Sequence, residues 1–167
     1  MVKIPGTIEE GLRFLGLTRE QAGLTNAIGR VAWHDNIIEI VYFAKPIGKP
    51  RMTQRDKWAQ RPAVMRYREW ADGLRSLFVK PLPPANQVKS LSWMATFAPA
   101  ASCPKKMRVE LMGTLHRDRP DRDNVDKAIL DVLFKEDSGI ACGSVEKRWG
   151  WENKLEILIE LNESETP

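Results

Sequence analysis

Between residues 62 and 78 the apolar positions Ala63, Tyr67, Trp70, Ala71, Leu74, Leu77 and Phe78 recur at intervals of three and four. That spacing gathers them on one stripe of a helix, with Pro62 suited to the first turn and Arg61, Arg68 and Arg75 left on the polar side. A period of two governs the next apolar segment, where Leu91, Trp93, Ala95 and Phe97 alternate with Ser92, Met94 and Thr96 as in a half-buried strand. Ile37 to Phe43 is a continuous apolar, β-branched run, the mark of a buried strand, and it is ended by Lys45-Pro46 and Gly48-Lys49-Pro50. Lys105 to Met112 fits both periods. A second helix is predicted over Asn124 to Phe134, with Val125, Ile129, Val132 and Leu133 on its inner face. Val145 to Trp151 and Leu155 to Leu161 then read as a closing hairpin with Glu152-Asn153-Lys154 at its tip.

The predicted fold class is α/β in the mixed α+β sense: one domain with a small mixed sheet of about four strands and packed helices, in the order strand, helix, strand, helix, hairpin. It occupies residues 36–162. Residues 1–35 read as a helical arm, because Thr7 with Glu10 and Thr18 with Gln21 fit the reciprocal capping of a helix start, and Leu12, Leu15 and Leu17 can tuck it onto the body. No chemistry is assigned to it. Residues 163–167 form a polar tail.

Composition narrows the class. A chain of 167 residues, 43% hydrophobic and 29% charged, with six Trp and five Phe, has the material for one real core and excludes disorder, collagen and coiled coil. No stretch reaches the ~18 continuous apolar residues of a membrane span, and Glu9 and Glu10 stand where a signal peptide carries an apolar run, so a cytoplasmic protein without membrane contact is expected. Cys103 and Cys142 have neither disulfide-scaffold density nor zinc-ligand spacing and are expected to be reduced. The net charge of +4 says little, but its distribution says more. From Lys45 to Asp72 eight cations face three anions, whereas Asp118, Asp121, Asp123, Asp126, Asp131, Glu136 and Asp137 crowd the stretch from 118 to 137. A basic segment beside an acidic cluster is the pattern a metal-dependent nuclease needs.

The densest chemistry lies in Arg119-Pro120-Asp121-Arg122-Asp123-Asn124-Val125-Asp126-Lys127. Pro120 keeps the residue before it extended, so the chain turns into the helix near Asp123 and lets Asp121 and Asp123 converge. Hard cations such as Mg²⁺ take carboxylate oxygens and retain several waters, so two or three acids plus a substrate phosphate suffice. Lys127 falls four residues after Asp123 on the same face, able to neutralise a carboxylate or reach a phosphate, and Asp131 one turn on is placed to hold Lys127. Glu136 and Asp137 are the nearest supply of a third ligand. Helix capping by Asp123 with Asp126, and a surface ion pair of Lys127 with Asp131, are the plainer readings of the same residues. An EF-hand starting at Asp121 fails, since Val125, Asp126 and Val132 stand where a ligand, a glycine and a glutamate are required. There is no phosphate-binding glycine loop and no acyl-transfer triad.

Pro120 to Lys127 with Ala128 and Asp131, followed by Lys135-Glu136-Asp137-Ser138-Gly139-Ile140 and Val145-Glu146-Lys147-Arg148-Trp149-Gly150, resembles the RusA-type Holliday junction resolvases frequent in phages and prophages. That family's signature is a DxDNxxKAxxDAL helix followed by a DDxQV turn and a strand. Gly48-Lys49-Pro50-Arg51-Met52-Thr53 and the basic helix after it are similar to the phage branch, and the resemblance covers roughly Ile37 to Leu161. It implies that Asp121, Asp123 and Asp137 bind the catalytic Mg²⁺, with Mn²⁺ able to substitute, that Lys127 is the essential lysine, and that Asp131 plays a supporting part. It also implies a homodimer acting on four-way DNA junctions in recombination, repair or phage DNA processing. Two-fold symmetry makes that sensible, since a junction offers two equivalent strands. The sequence departs from the family in a shorter connection from Asp131 to Asp137, in Glu136 where the first Asp of the pair is usual, and in Gly139 where Gln is usual. Asp137 is preferred to Glu136 as third ligand because Lys135 to Gly150 then aligns without a gap. A non-catalytic branched-DNA-binding module and a general branched or flap nuclease are the competing functions.

Lys49, Arg51, Arg55, Lys57 and Arg61 are read as phosphate contacts, against a merely solvated basic loop. Trp58 among them suits stacking on an unpaired base. His116 either touches phosphate or shuttles a proton, or is structural. His34 receives no role, and Trp149 and Trp151 suit core or subunit contacts.

Overall fold

The computed structural model describes residues 28–163. A five-stranded sheet is built from β1 (Gly29–His34), β2 (Ile37–Tyr42), β3 (Val88–Phe97), β4 (Val145–Trp149) and β5 (Lys154–Leu161), in the spatial order β1-β2-β5-β3-β4. Among the described residues three α-helices accompany it: α1 (Pro62–Arg75), α2 (Lys105–Leu111) and α3 (Arg122–Leu133). The mixed α+β class is as the hydrophobic pattern predicts, with a mixed sheet in which β3 and β4 run parallel and the other neighbours antiparallel.

The alternation in β3 is realised as read: Leu91, Trp93, Ala95 and Phe97 are buried while Ser92, Met94 and Thr96 face the other way. Ile38, Ile40 and Tyr42 of β2 and Leu155, Ile157 and Ile159 of β5 share that buried side. Against it lie Val64, Tyr67, Trp70, Ala71 and Leu74 of α1 and Val125, Ala128, Ile129 and Val132 of α3. One face of the sheet is thus sealed by two amphipathic helices. On the other, charged groups pair among themselves: Lys89 with Glu160 at 3.8 Å, Lys154 with Glu156 at 3.2 Å, and Arg148 with Glu146.

Three expectations are corrected. Residues 29–34, assigned to the helical arm of 1–35, form the edge strand β1, each residue registered against β2 from Gly29 opposite Tyr42 to His34 opposite Ile37. The arm proper, residues 1–27, and residues 164–167 of the tail lie outside the described residues. The strand count rises accordingly from about four to five.

Nor do β4 and β5 make a hairpin. β3 lies between them, parallel to β4 and antiparallel to β5, and the connecting loop crosses over its end, where Gly150 N–H donates to the Phe97 carbonyl at 3.0 Å and Ala98 N–H to Asn153 Oδ1 at 3.0 Å. A run of alternating residues specifies which side faces the core, not which strand becomes the neighbour. The ambiguous Lys105 to Met112 segment resolves as helix α2.

Candidate active site

Helix α3 begins at Arg122, with Asp121 in the N-cap position and extended (φ −66°, ψ 146°). Aspartate is favoured there because its carboxylate can accept from the first-turn N–H groups, yet the Asp121 side chain makes no capping hydrogen bond. Its carboxylate is exposed and left open beside the positively polarised start of a helix. Asp123 follows in the first turn, and Lys127 Nζ donates to Asp123 Oδ2 at 3.3 Å, the four-residue spacing acting as predicted. Both side chains are largely exposed, so the pair contributes little to stability.

The partner of Asp131 differs from the one expected. Lys49, not Lys127, forms the ion pair with Asp131. The neighbouring carboxylates hold the Lys49 ammonium above its usual pKa, first through the hydrogen bond with Asp131, against a smaller opposing effect of burial, with the charge of Asp137 also felt. Lys49 reaches this place because its segment lies directly on α3: Lys49 N–H donates to the Asn124 carbonyl at 2.9 Å. Gly48 makes the approach possible, since a Cβ there would meet Asn124 Cβ at 3.0 Å and Pro120 Cβ at 3.2 Å. Lys49, Pro50, Arg51, Met52, Asn124 and Lys127 line the resulting open groove of about 470 Å³.

The loop that delivers Asp121 is held from behind. Lys147 of β4 donates to the Asp118 and Pro120 carbonyls at 2.7 and 2.6 Å, and His116 N–H donates to the Lys147 carbonyl at 2.9 Å. His116 is 5% exposed, stacked on Phe97 (ring centroids 4.0 Å apart) and tilted against Trp149 (4.3 Å). Burial first, then the nearby Lys147 charge, push its pKa below the ordinary histidine value. The structural reading of His116 is the one its surroundings support. Asp126 points back into the fold and accepts from Trp93 Nε1 at 2.7 Å. Neither Lys147 nor Asp126 was singled out as a positioning group from sequence. The available signal was a lysine at an inward register of β4, between Val145 and Trp149, which pair with core residues Trp93 and Phe97.

Past α3, Ser138 N–H donates to the Glu136 carboxylate at 3.2 Å, while the turn closes with Ile140 N–H on the Asp137 carbonyl at 2.9 Å. The substitution of glycine for glutamine at 139 has a steric reason: a Cβ there would sit 2.8 Å from the Ala85 and Asn86 backbone. Among the described residues no three His, Cys, Asp or Glu side chains are gathered closely enough to hold a metal ion, so Asp121, Asp123 and Asp137 do not form a preassembled triad. The donor chemistry of Asp121 and Asp123 nonetheless fits a hard cation, because Mg²⁺ is commonly held by one or two carboxylates with waters and substrate phosphate completing its shell.

The basic segment divides in two. Arg51 and Arg55 have exposed side chains without a hydrogen-bond or ion-pair partner among the described residues, as does Trp58 at 73% exposure. Arg61 instead commits its Nε and Nη2 to Asp56, both at 2.6 Å, and Nη2 also to the Arg51 carbonyl at 2.8 Å. The Lys57 side chain lies outside the described atoms. Among the described residues no helix is long and apolar enough to cross a membrane.

A search of curated proteins returns no match. The family model for the endodeoxyribonuclease RusA, however, matches residues 44–160, a span running from the start of the basic segment through the acidic helix to the last strand. Taken with the mixed sheet, the open carboxylates at the start of α3 and the basic groove alongside, that match makes the chain a member of the RusA endodeoxyribonuclease family, the Holliday junction resolvases that its sequence resembles.

Proposed function

We propose that the protein is a Mg²⁺-dependent endonuclease that resolves four-way DNA junctions as a homodimer, hydrolysing one phosphodiester in each of two symmetry-related strands. The observation that carries the reading is Asp121: a residue in the best capping position of α3 whose carboxylate caps nothing, next to an exposed Asp123 and a groove lined by Lys49, Arg51 and Lys127. Asp121 and Asp123 would hold the metal, with Asp137 as third ligand and Glu136 as its substitute. The involvement of Glu136 with the Ser138 amide, and the charge of Asp137 sensed at Lys49, support that ranking. When bound, Mg²⁺ supplies Lewis-acid polarisation of the scissile phosphate and activates the attacking water.

The chain's own residues do the rest. Lys127, exposed on the helix surface, turns from Asp123 toward the charge that builds on the phosphate oxygens. Asp131 keeps Lys49 oriented on the groove wall, where the ammonium meets the DNA backbone. Arg51 and Arg55 contact flanking phosphates, and the dimer axis matches the two-fold symmetry of the junction.

The test is cleavage of a synthetic four-way junction in Mg²⁺ beside linear duplex, flap and fork of the same sequence. Paired nicks on opposing strands, with linear duplex intact, support the proposal. Equal cutting of all branched forms points to a general branched-DNA nuclease, binding without cleavage under any divalent metal points to a non-catalytic module, and nicks confined to one strand overturn the homodimer.

A further inference from the structure

The basic loop between residues 51 and 60 contains one buried carboxylate. Asp56 is 3% exposed in a segment whose other charged residues are cations. Its two oxygens accept from Thr53 N–H at 2.6 Å, Thr53 Oγ1 at 3.0 Å, and Arg61 Nε and Nη2 at 2.6 Å each. Its main-chain carbonyl accepts from Arg68 of α1 at 2.6 Å. Arg61, the residue before α1, also holds the Arg51 carbonyl, so its planar fork spans both ends of the loop. The fork and the Thr53 amide hold the Asp56 carboxyl well below the usual carboxylate range, leaving it charged at any working pH.

We infer that Asp56 and Arg61 are positioning residues that lock the loop in its DNA-engaging shape, so that Arg51 stands on the groove wall beside Lys127 while Arg55 and Trp58 face the DNA. Without the clamp, a loop this rich in cations repels itself and spreads over many shapes, and each phosphate contact is then made at the cost of ordering it. The inference rests on the proposal that DNA is the partner, and it makes a prediction of unusual sign. On net charge alone, removing Asp56 brings the protein closer to DNA. If the clamp positions the loop, removing it weakens binding.

Fluorescence anisotropy of a labelled four-way junction, with Ca²⁺ in place of Mg²⁺ to hold cleavage back, reads the affinity. Asp56→Asn is expected to raise Kd by about tenfold and to flatten the dependence of log affinity on log salt by about one contact. In Mg²⁺ its defect should fall on KM more than on kcat. Arg61→Lys, which keeps the charge but loses the fork, should show the same weakening, whereas a simple phosphate contact would tolerate it. Unchanged or tighter binding by folded Asp56→Asn overturns the clamp, as does a lowered melting temperature with unaltered Kd, which would mean a merely structural ion pair. If Asp56→Asn does not fold, Thr53→Ala and Arg61→Lys carry the same test. Trypsin separates the two levels of the argument: faster cleavage after Arg51 and Arg55 in the variants supports the clamp even if wild type binds no junction, while equal rates overturn it.

Discussion

Asp56 and Asp121 are the same side chain in opposite circumstances. Asp56 is buried and saturated by four donors from Thr53 and Arg61. Asp121 stands exposed at the start of α3, in the position where a carboxylate most readily finds donors, and takes none. The first arrangement spends a charge on holding a loop; the second leaves a charge available to a ligand. A carboxylate's role therefore follows from what already occupies its oxygens rather than from residue type or local sequence, since each sits just before or within the first turn of a helical segment.

Substitution of the open carboxylates should break the comparison most visibly. Asp121→Asn and Asp123→Asn are each expected to lower the junction-cleavage rate by at least ~10²-fold, the scale for removing one group aimed at developing charge, while DNA affinity holds or rises because a repelling charge has gone. Mg²⁺-dependent cutting by both variants at wild-type rate would remove the site from the start of α3. Glu136→Gln should cost less than Asp137→Asn, and the reverse order would exchange their roles. Lys127→Ala should lose ~10²-fold in turnover yet change stability by no more than ~0.5 kcal/mol, its partner and itself being exposed. Normal turnover would reduce Lys127 and Asp123 to a surface ion pair.

A smaller effect tests the reassigned pairing. In a double-mutant cycle on junction affinity, Asp131→Ala and Lys49→Ala should be non-additive, because each variant removes the same contact, whereas Asp131→Ala and Lys127→Ala should add. Coupling between Asp131 and Lys127 alone would restore the one-turn pairing read from the helix.

The smallest effects are on stability against pH. Asp56 has its pKa depressed in the fold, so its contribution is complete above the ordinary aspartate value of ~3.9 and is lost as pH falls below it. Denaturant titrations should accordingly show the deficit of Asp56→Asn constant near neutrality and shrinking below about pH 4. His116, also depressed, gives the other acid-side signal: the unfolded chain takes up its proton near ~6.5 while the folded chain resists, so stability declines as pH falls below that value. His116→Phe, which retains a ring between Phe97 and Trp149, should flatten that decline. An identical slope would place the titration elsewhere.

Local spacing along the chain encodes one part of this molecule. The three-and-four spacing of Tyr67, Trp70, Ala71 and Leu74 specifies the buried stripe of α1, the alternation from Leu91 to Phe97 specifies the inward side of β3, and four residues between Asp123 and Lys127 place them on one helix face. The motif from Asp121 to Asp131 carries the family. Which groups meet was settled by folding. β3 enters between β4 and β5 because a strand's pattern names its face and leaves its neighbours open. Lys49 captures Asp131 because Gly48 lets a distant segment lie against α3, and residues 29–34 became a strand because β2 offered an unpaired edge. Arg61 reads locally as one more cation of a basic loop; folding turns it inward onto Asp56, since a buried carboxylate must be paired and the Arg61 fork, unlike that of the adjacent Arg55, closes on both of its oxygens.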